Sequence, residues 1–147
     1  MRTLMIAVAV SGFLLTVLGA MGGHAPAGAA PDGSVWVFDE RAWQSATVFG
    51  FAHVLAAGLA AMAPVRGRLR LAAGWAFLAG VLLFAVSLMT RQLLMAGYVP
   101  AAEAEAVTSR YAGFLMTVPF GGLCFMAGWI LFAFAVWRGA SGARADA

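Results

Sequence analysis

Four long runs of apolar residues alternate with shorter polar stretches along the chain. The runs occupy residues 4–22, 43–63, 71–90 and 111–137, and none contains Asp, Glu, Lys or Arg. A helix needs about 20 mostly apolar residues to cross a bilayer, so each run predicts one transmembrane helix. We therefore expect an all-α membrane protein whose four transmembrane helices pack as one small bundle.

The polar stretches between the runs are too short for a soluble domain. Residues 1–138 form the expected single domain, and residues 139–147 form a loose polar tail. The first link, 23–42, is rich in Gly, Ala and Pro, and the second, 64–70, is short. In the third link, 91–110, residues 101–107 predict a short surface helix. No segment has the pattern of a strand.

Composition agrees with a lipid environment. Hydrophobic residues make up 63% of the chain and charged residues only 10%, whereas soluble domains carry about a quarter charged residues. A sequence pI near 10.0 in a soluble protein would suggest binding to nucleic acid. Here the arginines lie at the ends of the apolar runs and are better explained as topology signals, so we expect no nucleic-acid partner.

The distribution of arginine predicts the orientation of the helices. Cytoplasmic loops carry the excess of basic residues. If both termini are cytoplasmic, six arginines lie inside and three outside; the inner ones are Arg2, Arg66, Arg68, Arg70, Arg138 and Arg144, and the outer ones are Arg41, Arg91 and Arg110. A chain rich in Ala and Gly that uses arginine and no lysine is typical of a GC-rich bacterial genome. We therefore predict a multi-pass protein of the bacterial cytoplasmic (inner) membrane.

The first apolar run has a second interpretation. Arg2, the run that follows it, and the small residues at 27–29 are also the pattern of a cleavable signal peptide. Cleavage would leave three transmembrane helices. Composition alone leaves both interpretations open.

His53 lies near the middle of the second predicted helix, where lipid offers no hydrogen-bond partner. The second and fourth helices run in the same direction, so Pro119 to Gly122 should lie at the depth of His53. A proline inside a helix leaves a backbone carbonyl without its usual donor. We therefore expect the imidazole to bond the carbonyl region that Pro119 frees, and to act mainly as a packing residue that joins two helices.

The remaining polar and small residues of the runs complete a candidate intramembrane polar and packing site. His24 follows a helix-ending Gly-Gly pair at the outer end of the first run. Three hydroxyl groups and three residues of the fourth run also fall on the predicted helix interfaces. The full set is His53, His24, Thr16, Ser87, Thr117, Pro119, Gly121 and Gly122.

The sequence does not predict an enzyme. The predicted spans contain no carboxylate, and the chain has neither Cys-x-x-Cys nor His-Glu-x-x-His. Haem held between two histidines is also disfavoured, because His53 lies about 10–15 Å deeper than His24 at the rise of a helix. We therefore expect no catalytic residue, no metal and no cofactor.

Four short motifs, taken in order, resemble a known family. They are Ser-Gly-Phe at 11–13 with Leu-Gly-Ala-Met-Gly-Gly-His at 18–24, Phe-Gly-Phe-Ala-His-Val-Leu-Ala at 49–56, Gly-Val-Leu-Leu-Phe at 80–84 with Ser-Leu at 87–88, and Pro-Phe-Gly-Gly-Leu-Cys-Phe-Met-Ala-Gly-Trp at 119–129. This order resembles the small four-span membrane family numbered 423 among domains of unknown function. The resemblance implies that the first helix is retained, and it implies no reaction, substrate or cofactor.

The chain departs from that family near its polar positions. Relatives tend to have Tyr-Gln where this chain has Phe49 and Gly50, and a Thr before the proline where this chain has Val118. They also tend to have Gly and Tyr where it has Val86 and Met89. The loss of these polar neighbours disfavours a hydrogen-bonded proton path through His53.

Two classes of function fit these features. The first is a structural or accessory bundle that binds lipid or a partner, with the bilayer, a second copy of the chain or a larger membrane complex as its surroundings. The alternative is a small proton-linked transporter or channel subunit that uses His53, whose imidazole can change charge near neutral pH. The first class demands fewer polar groups inside the spans and is our prediction.

Overall fold

The structure, a computed structural model, describes residues 1–22, 30–65 and 67–145. Four helical spans in it are long and apolar enough to cross a membrane. The first is α1 (Arg2–Gly22) and the second is α2 (Glu40–Met62). The prediction of a four-span all-α bundle is confirmed.

The third and fourth spans are built from several helical segments. The third combines α3 (Arg68–Gly80), a π-helical stretch (Val81–Val86) and α4 (Ser87–Met95) into one continuous rod. The fourth begins with a 3₁₀ segment (Ala112–Met116) and continues as α6 (Val118–Ala145). π-Helical turns inside α-helices occur often at functional or strained positions, so this stretch marks where the third span adapts to its neighbours.

A small antiparallel ribbon joins the first and third links. Strand β1 (Ser34–Trp36) pairs with β2 (Tyr98–Pro100), so that Val35 lies opposite Val99. The rings of Trp36 and Tyr98 meet edge to face at 5.1 Å. The expectation of a strand-free chain was wrong, because strands of three residues are too short to show an alternating pattern.

The turn before the ribbon holds an exposed carboxylate. Asp32 Oδ1 accepts hydrogen bonds from the Ser34 backbone N–H at 3.0 Å and the Ser34 hydroxyl at 2.7 Å. These two donors stabilise the charged form, and they lower the pKa of Asp32 below its ordinary value. The third link continues from β2 through a 3₁₀ turn (Ala101–Glu103) into α5 (Ala104–Arg110), close to the predicted surface helix.

The core lies between the second and third spans. In an 18-residue apolar segment of each span, the share of buried residues is 50% for α2 and 44% for the third span. It is 22% for the fourth span and 11% for α1. Alanines that are fully buried line this contact (Ala46, Ala57, Ala60, Ala73 and Ala85). Small side chains let helix backbones approach closely, which is the usual basis of helix packing in lipid.

The first helix packs against this core through two leucines. Leu4 and Leu15 are 1% and 2% exposed. A Cβ added to Gly74 would lie 2.6 Å from Leu4, and one added to Gly50 would lie 3.0 Å from Leu15. Each leucine therefore fills a place that a glycine leaves open, and α1 is an integral part of the bundle.

The third span is longer than the sequence pattern predicts. We expected it to end at residue 90, with Arg91 in an exposed outer link, but the helix continues to Met95. Arg91 is only 8% exposed and Gln92 is fully buried. Both polar residues are covered by neighbouring elements, since the Gln92 side chain accepts a hydrogen bond from the backbone of Asp39 at the start of α2.

Candidate functional site

His53 lies in an aromatic cluster between three spans. Its imidazole stacks on Phe125 of α6, with ring centroids 3.6 Å apart and planes 13° from parallel. Phe77 of α3 lies at 5.7 Å and Phe49, one turn earlier on α2, at 6.1 Å. The side chain is 8% exposed, so His53 is surrounded by rings.

Both nitrogens of the imidazole have hydrogen-bond partners. Nδ1 lies 2.8 Å from the Phe49 carbonyl, which accepts only, so Nδ1 carries the proton. Nε2 accepts from the Trp129 indole N–H at 3.3 Å. This arrangement is that of a neutral imidazole, and it leaves no ring nitrogen available for a ligand.

The expected partner of His53 was wrong. Instead of the carbonyl region near Pro119, the imidazole bonds the indole of Trp129. Pro119 is the second residue of α6, where a backbone N–H has no acceptor within the helix, so no carbonyl is freed in mid-helix. The predicted depth of His53 relative to the fourth span was also wrong by about one turn, because the imidazole lies beside Phe125 and not beside Pro119 to Gly122. The Trp129 side chain reaches it because side chains of a helix point towards the start of that helix.

Thr117 and Ser87 bond to the backbone around the π-helical stretch. The Thr117 hydroxyl lies 3.1 Å from the carbonyl of Leu83 on the third span and 2.8 Å from the carbonyl of Phe114. The Ser87 hydroxyl donates to the Leu82 carbonyl at 3.5 Å. The Thr117 hydroxyl therefore joins the third and fourth spans, whereas the Ser87 hydroxyl bonds within its own span.

Gly121 and Gly122 have different surroundings. A Cβ on Gly121 would lie 2.7 Å from both the Cβ and the backbone nitrogen of Phe84, whereas one on Gly122 would meet nothing within 4 Å. Gly121 is buried and also faces Gly80, since a Cβ there would lie 3.0 Å from the Gly121 carbonyl oxygen. Of the two glycines, only Gly121 permits the close approach of the two spans.

The other two candidate residues do not join this cluster. Thr16 is exposed, and its hydroxyl donates to the Gly12 carbonyl of its own helix at 2.9 Å. His24 lies outside the described residues. Within the part of the chain that the structure describes, no group of three or more His, Cys, Asp or Glu side chains is placed to hold a metal ion.

Sequence reasoning missed the residues that surround His53. Trp129 closes the fourth family-like motif and is the nineteenth residue of the fourth apolar run, where an indole N–H needs an acceptor. This need for an acceptor was the sequence feature that could have indicated Trp129 as a partner of His53. The rings of Phe77 and Phe125 gave no such signal, because phenylalanine is expected anywhere in a lipid-exposed helix.

A second set of polar residues lies at the C-terminal end of the third span. Among the described residues, the Arg91 guanidinium has one polar contact, the carbonyl of Thr108 at 3.4 Å from Nη2. Gln92 Oε1 accepts from the backbone N–H of Asp39 at 2.8 Å. Arg91 Nε and Gln92 Nε2 are buried and have no hydrogen-bond partner among these residues.

An apolar groove of about 530 Å³ lies between the third and fourth spans on the surface of the bundle. Its lining residues are Leu83, Thr117, Phe120, Leu123, Cys124 and Ala127. Phe120 and Leu123 are 62% and 55% exposed, so the groove opens to the side that faces lipid.

Comparison with known proteins agrees with the motifs of the sequence. A family described as "Protein of unknown function (DUF423)" matches the chain over residues 18–122, more than half of its length. The match runs from the last turn of α1 to the first turns of α6. No curated protein and no solved structure matches the chain. The chain therefore belongs to the DUF423 family of proteins of unknown function.

Proposed function

We propose that this protein is a structural or accessory component of the bacterial cytoplasmic membrane, a four-helix bundle that binds lipid or a partner protein and catalyses no reaction. One observation carries the proposal: the candidate polar side chains of the second, third and fourth spans, His53, Ser87 and Thr117, are engaged in structural contacts. His53 bonds Phe49 and Trp129, and the hydroxyls of Thr117 and Ser87 bond backbone carbonyls. A transport path needs polar groups that face water or substrate.

Packing around His53 supports the same proposal. Phe77 is fully buried and touches both His53 and Trp129, at ring distances of 5.7 and 5.0 Å. Phe125 fills the other side of the imidazole. Three aromatic rings, those of Phe77, Phe125 and Trp129, therefore pack around the imidazole that a proton path through His53 would use.

The outer surfaces of the bundle are suited to lipid or a partner helix. Only 11% of the residues in the apolar segment of α1 are buried, and 22% of those in the fourth span. Large apolar side chains on both helices are more than half exposed, among them Phe13, Ile130 and Trp137. In the absence of a hydrophobic driving force in lipid, partner helices would dock on such faces by packing.

Affinity purification in a mild detergent, followed by mass spectrometry, tests this proposal. An unrelated four-span protein with the same tag, expressed at the same level, is the matched control. We expect a lipid or a protein partner in a reproducible stoichiometric ratio with this chain and missing from the control. Recovery of the chain alone, together with proton flux after reconstitution, would contradict the proposal.

The orientation can be tested independently of the partner. In a Cys124→Ser background, Ser109→Cys places a thiol on the third link and Arg68→Cys places one on the second link, both at exposed positions. With both termini cytoplasmic, an impermeant maleimide should label the first variant in intact cells and the second only after lysis. The reverse pattern would invert the proposed topology.

A further inference from the structure

Arg91 carries a buried charge without a carboxylate partner among the described residues. A guanidinium stays protonated in proteins, and Arg91 is only 8% exposed. Its one polar contact there, the Thr108 carbonyl at 3.4 Å, is long, and its Nε has no acceptor. A buried charge of this kind is costly unless an opposite charge or several hydrogen bonds compensate it.

Gln92 adds a second unused donor at the same end of the span. It is fully buried; its Oε1 accepts from the Asp39 backbone, and its Nε2 has no partner among the described residues. Arg91 and Gln92 thus each have a buried N–H group without an acceptor among the described residues. The complementary chemistry is an oxyanion, which arginine binds through paired, charge-assisted hydrogen bonds.

The apolar groove and Arg91 share the third span, because Leu83 lines the groove. Leu83, which lines the groove, precedes Arg91 by eight residues, or roughly two helical turns. The Leu83 carbonyl contacts Thr117, and Arg91 contacts Thr108, so both face the segment that leads into α6. Arg91 itself lies one turn before the span ends at Met95, at the level where lipid headgroups begin.

We propose that Arg91 binds the phosphate of a phospholipid whose acyl chain lies in the groove formed by Leu83, Thr117, Phe120, Leu123, Cys124 and Ala127. This inference rests on the proposed function and specifies the lipid part of it. Leu83 and Arg91 are eight residues apart on the third span, roughly two helical turns, a spacing that suits a headgroup and the chain attached to it. A free anion would use Arg91 alone and would leave the groove without a role.

Native mass spectrometry of the delipidated protein in detergent tests the proposal, with short-chain phosphatidylglycerol as the probe. Arg91→Gln removes the charge, and Arg110→Gln is the matched control, because Arg110 is an exposed arginine on the same side. Ala127→Phe fills the groove, and Ala133→Phe adds the same ring at an exposed position of α6 outside it. Diacylglycerol of the same chain length and inorganic phosphate separate the two halves of the ligand.

We expect phosphatidylglycerol to bind about tenfold more weakly to Arg91→Gln than to the wild type, as for the loss of one charge-assisted hydrogen bond. Ala127→Phe should weaken binding as well, and both control variants should bind like the wild type. Diacylglycerol should bind more weakly than phosphatidylglycerol. If Arg91→Gln fails to fold, as judged by helical circular dichroism, the comparison of the two lipids on the wild type decides.

Several outcomes would overturn the proposal. They are unchanged binding by Arg91→Gln, equal affinity for diacylglycerol and phosphatidylglycerol, and binding of inorganic phosphate that competes with the lipid while Ala127→Phe has no effect. The last result would make Arg91 a site for a free anion. A wild type that binds no lipid, yet copurifies with a protein partner and conducts no protons, would refute this inference alone. Proton conduction would refute the proposed function instead.

Discussion

Replacing Gly121 by alanine tests the contact between the third and fourth spans at its closest point. The new Cβ would lie 2.7 Å from the Phe84 Cβ and backbone nitrogen and 3.0 Å from the Leu83 carbonyl carbon. Two of these three atoms belong to the backbone of the third span, so no side-chain rotation can relieve the clash. The two spans must move apart.

The size of the effect follows from these distances. Carbon atoms pack best at about 3.5–4.0 Å, so the helices must separate by about 0.8 Å at this point. The Thr117 hydroxyl, 3.1 Å from the Leu83 carbonyl, lies one turn away and would be drawn out of hydrogen-bonding range. Overpacking of a tight contact costs about 1–3 kcal/mol, and a clash with backbone belongs in the upper half of that range.

Gly122→Ala is the matched control. It makes the same chemical change one residue further along α6, where a Cβ meets nothing within 4 Å. The gain in helix propensity from Gly to Ala, up to about 1 kcal/mol, is common to both variants and cancels in their difference. Reversible unfolding in mixed micelles, followed by circular dichroism during titration with SDS, measures the free energy of unfolding of each variant.

We expect Gly121→Ala to be less stable than Gly122→Ala by about 2–3 kcal/mol. Equal stability of the two variants would show that the spans do not meet at Gly121. The π-helical stretch and the groove beside it would then need a different explanation.

Two further predictions concern buried hydrogen bonds. Trp129→Phe keeps a ring beside His53 and removes only the indole N–H, so it should lower the free energy of unfolding by about 0.5–1.5 kcal/mol in the same titration; no loss would refute this bond. Gln92→Leu should lower it by about 0.5–1.5 kcal/mol, because the part-buried backbone N–H of Asp39 loses its acceptor. Gln44→Leu, at an exposed position, is the control and should be close to neutral.

The spans were predictable from sequence because crossing a bilayer imposes a length and a composition that hardly depend on the neighbours. The C-terminal end of the third span was not predictable in this way. Arg91 and Gln92 look like the start of a polar link, and only the cover provided by α5 and the start of α2 keeps them within the helix. The pairing of β1 with β2 joins segments more than sixty residues apart and leaves no local pattern.

The candidate site was predicted in part for the same reason. An imidazole in lipid needs a partner, and one of the two partners of His53, the Trp129 indole, lies on the fourth helix, whereas the carbonyl that His53 bonds lies on α2 itself. The choice of Pro119 assumed a proline within a regular helix, whereas a 3₁₀ segment (Ala112–Met116) precedes α6 and places the proline in its first turn. Whether Gly121 or Gly122 makes the close contact depends on which face of α6 meets the third span. Composition does not predict that face.

Proton flux into proteoliposomes tests the central claim, that His53 is a structural residue and not part of a transport path. The wild type and His53→Phe, which keeps a ring against Phe125, would be reconstituted at equal density and driven by a pH gradient and by a membrane potential. The account predicts that both leak protons no faster than protein-free liposomes. Flux through the wild type that disappears in His53→Phe, with the helical content of the two proteins unchanged, would contradict it and identify His53 as part of a transport path.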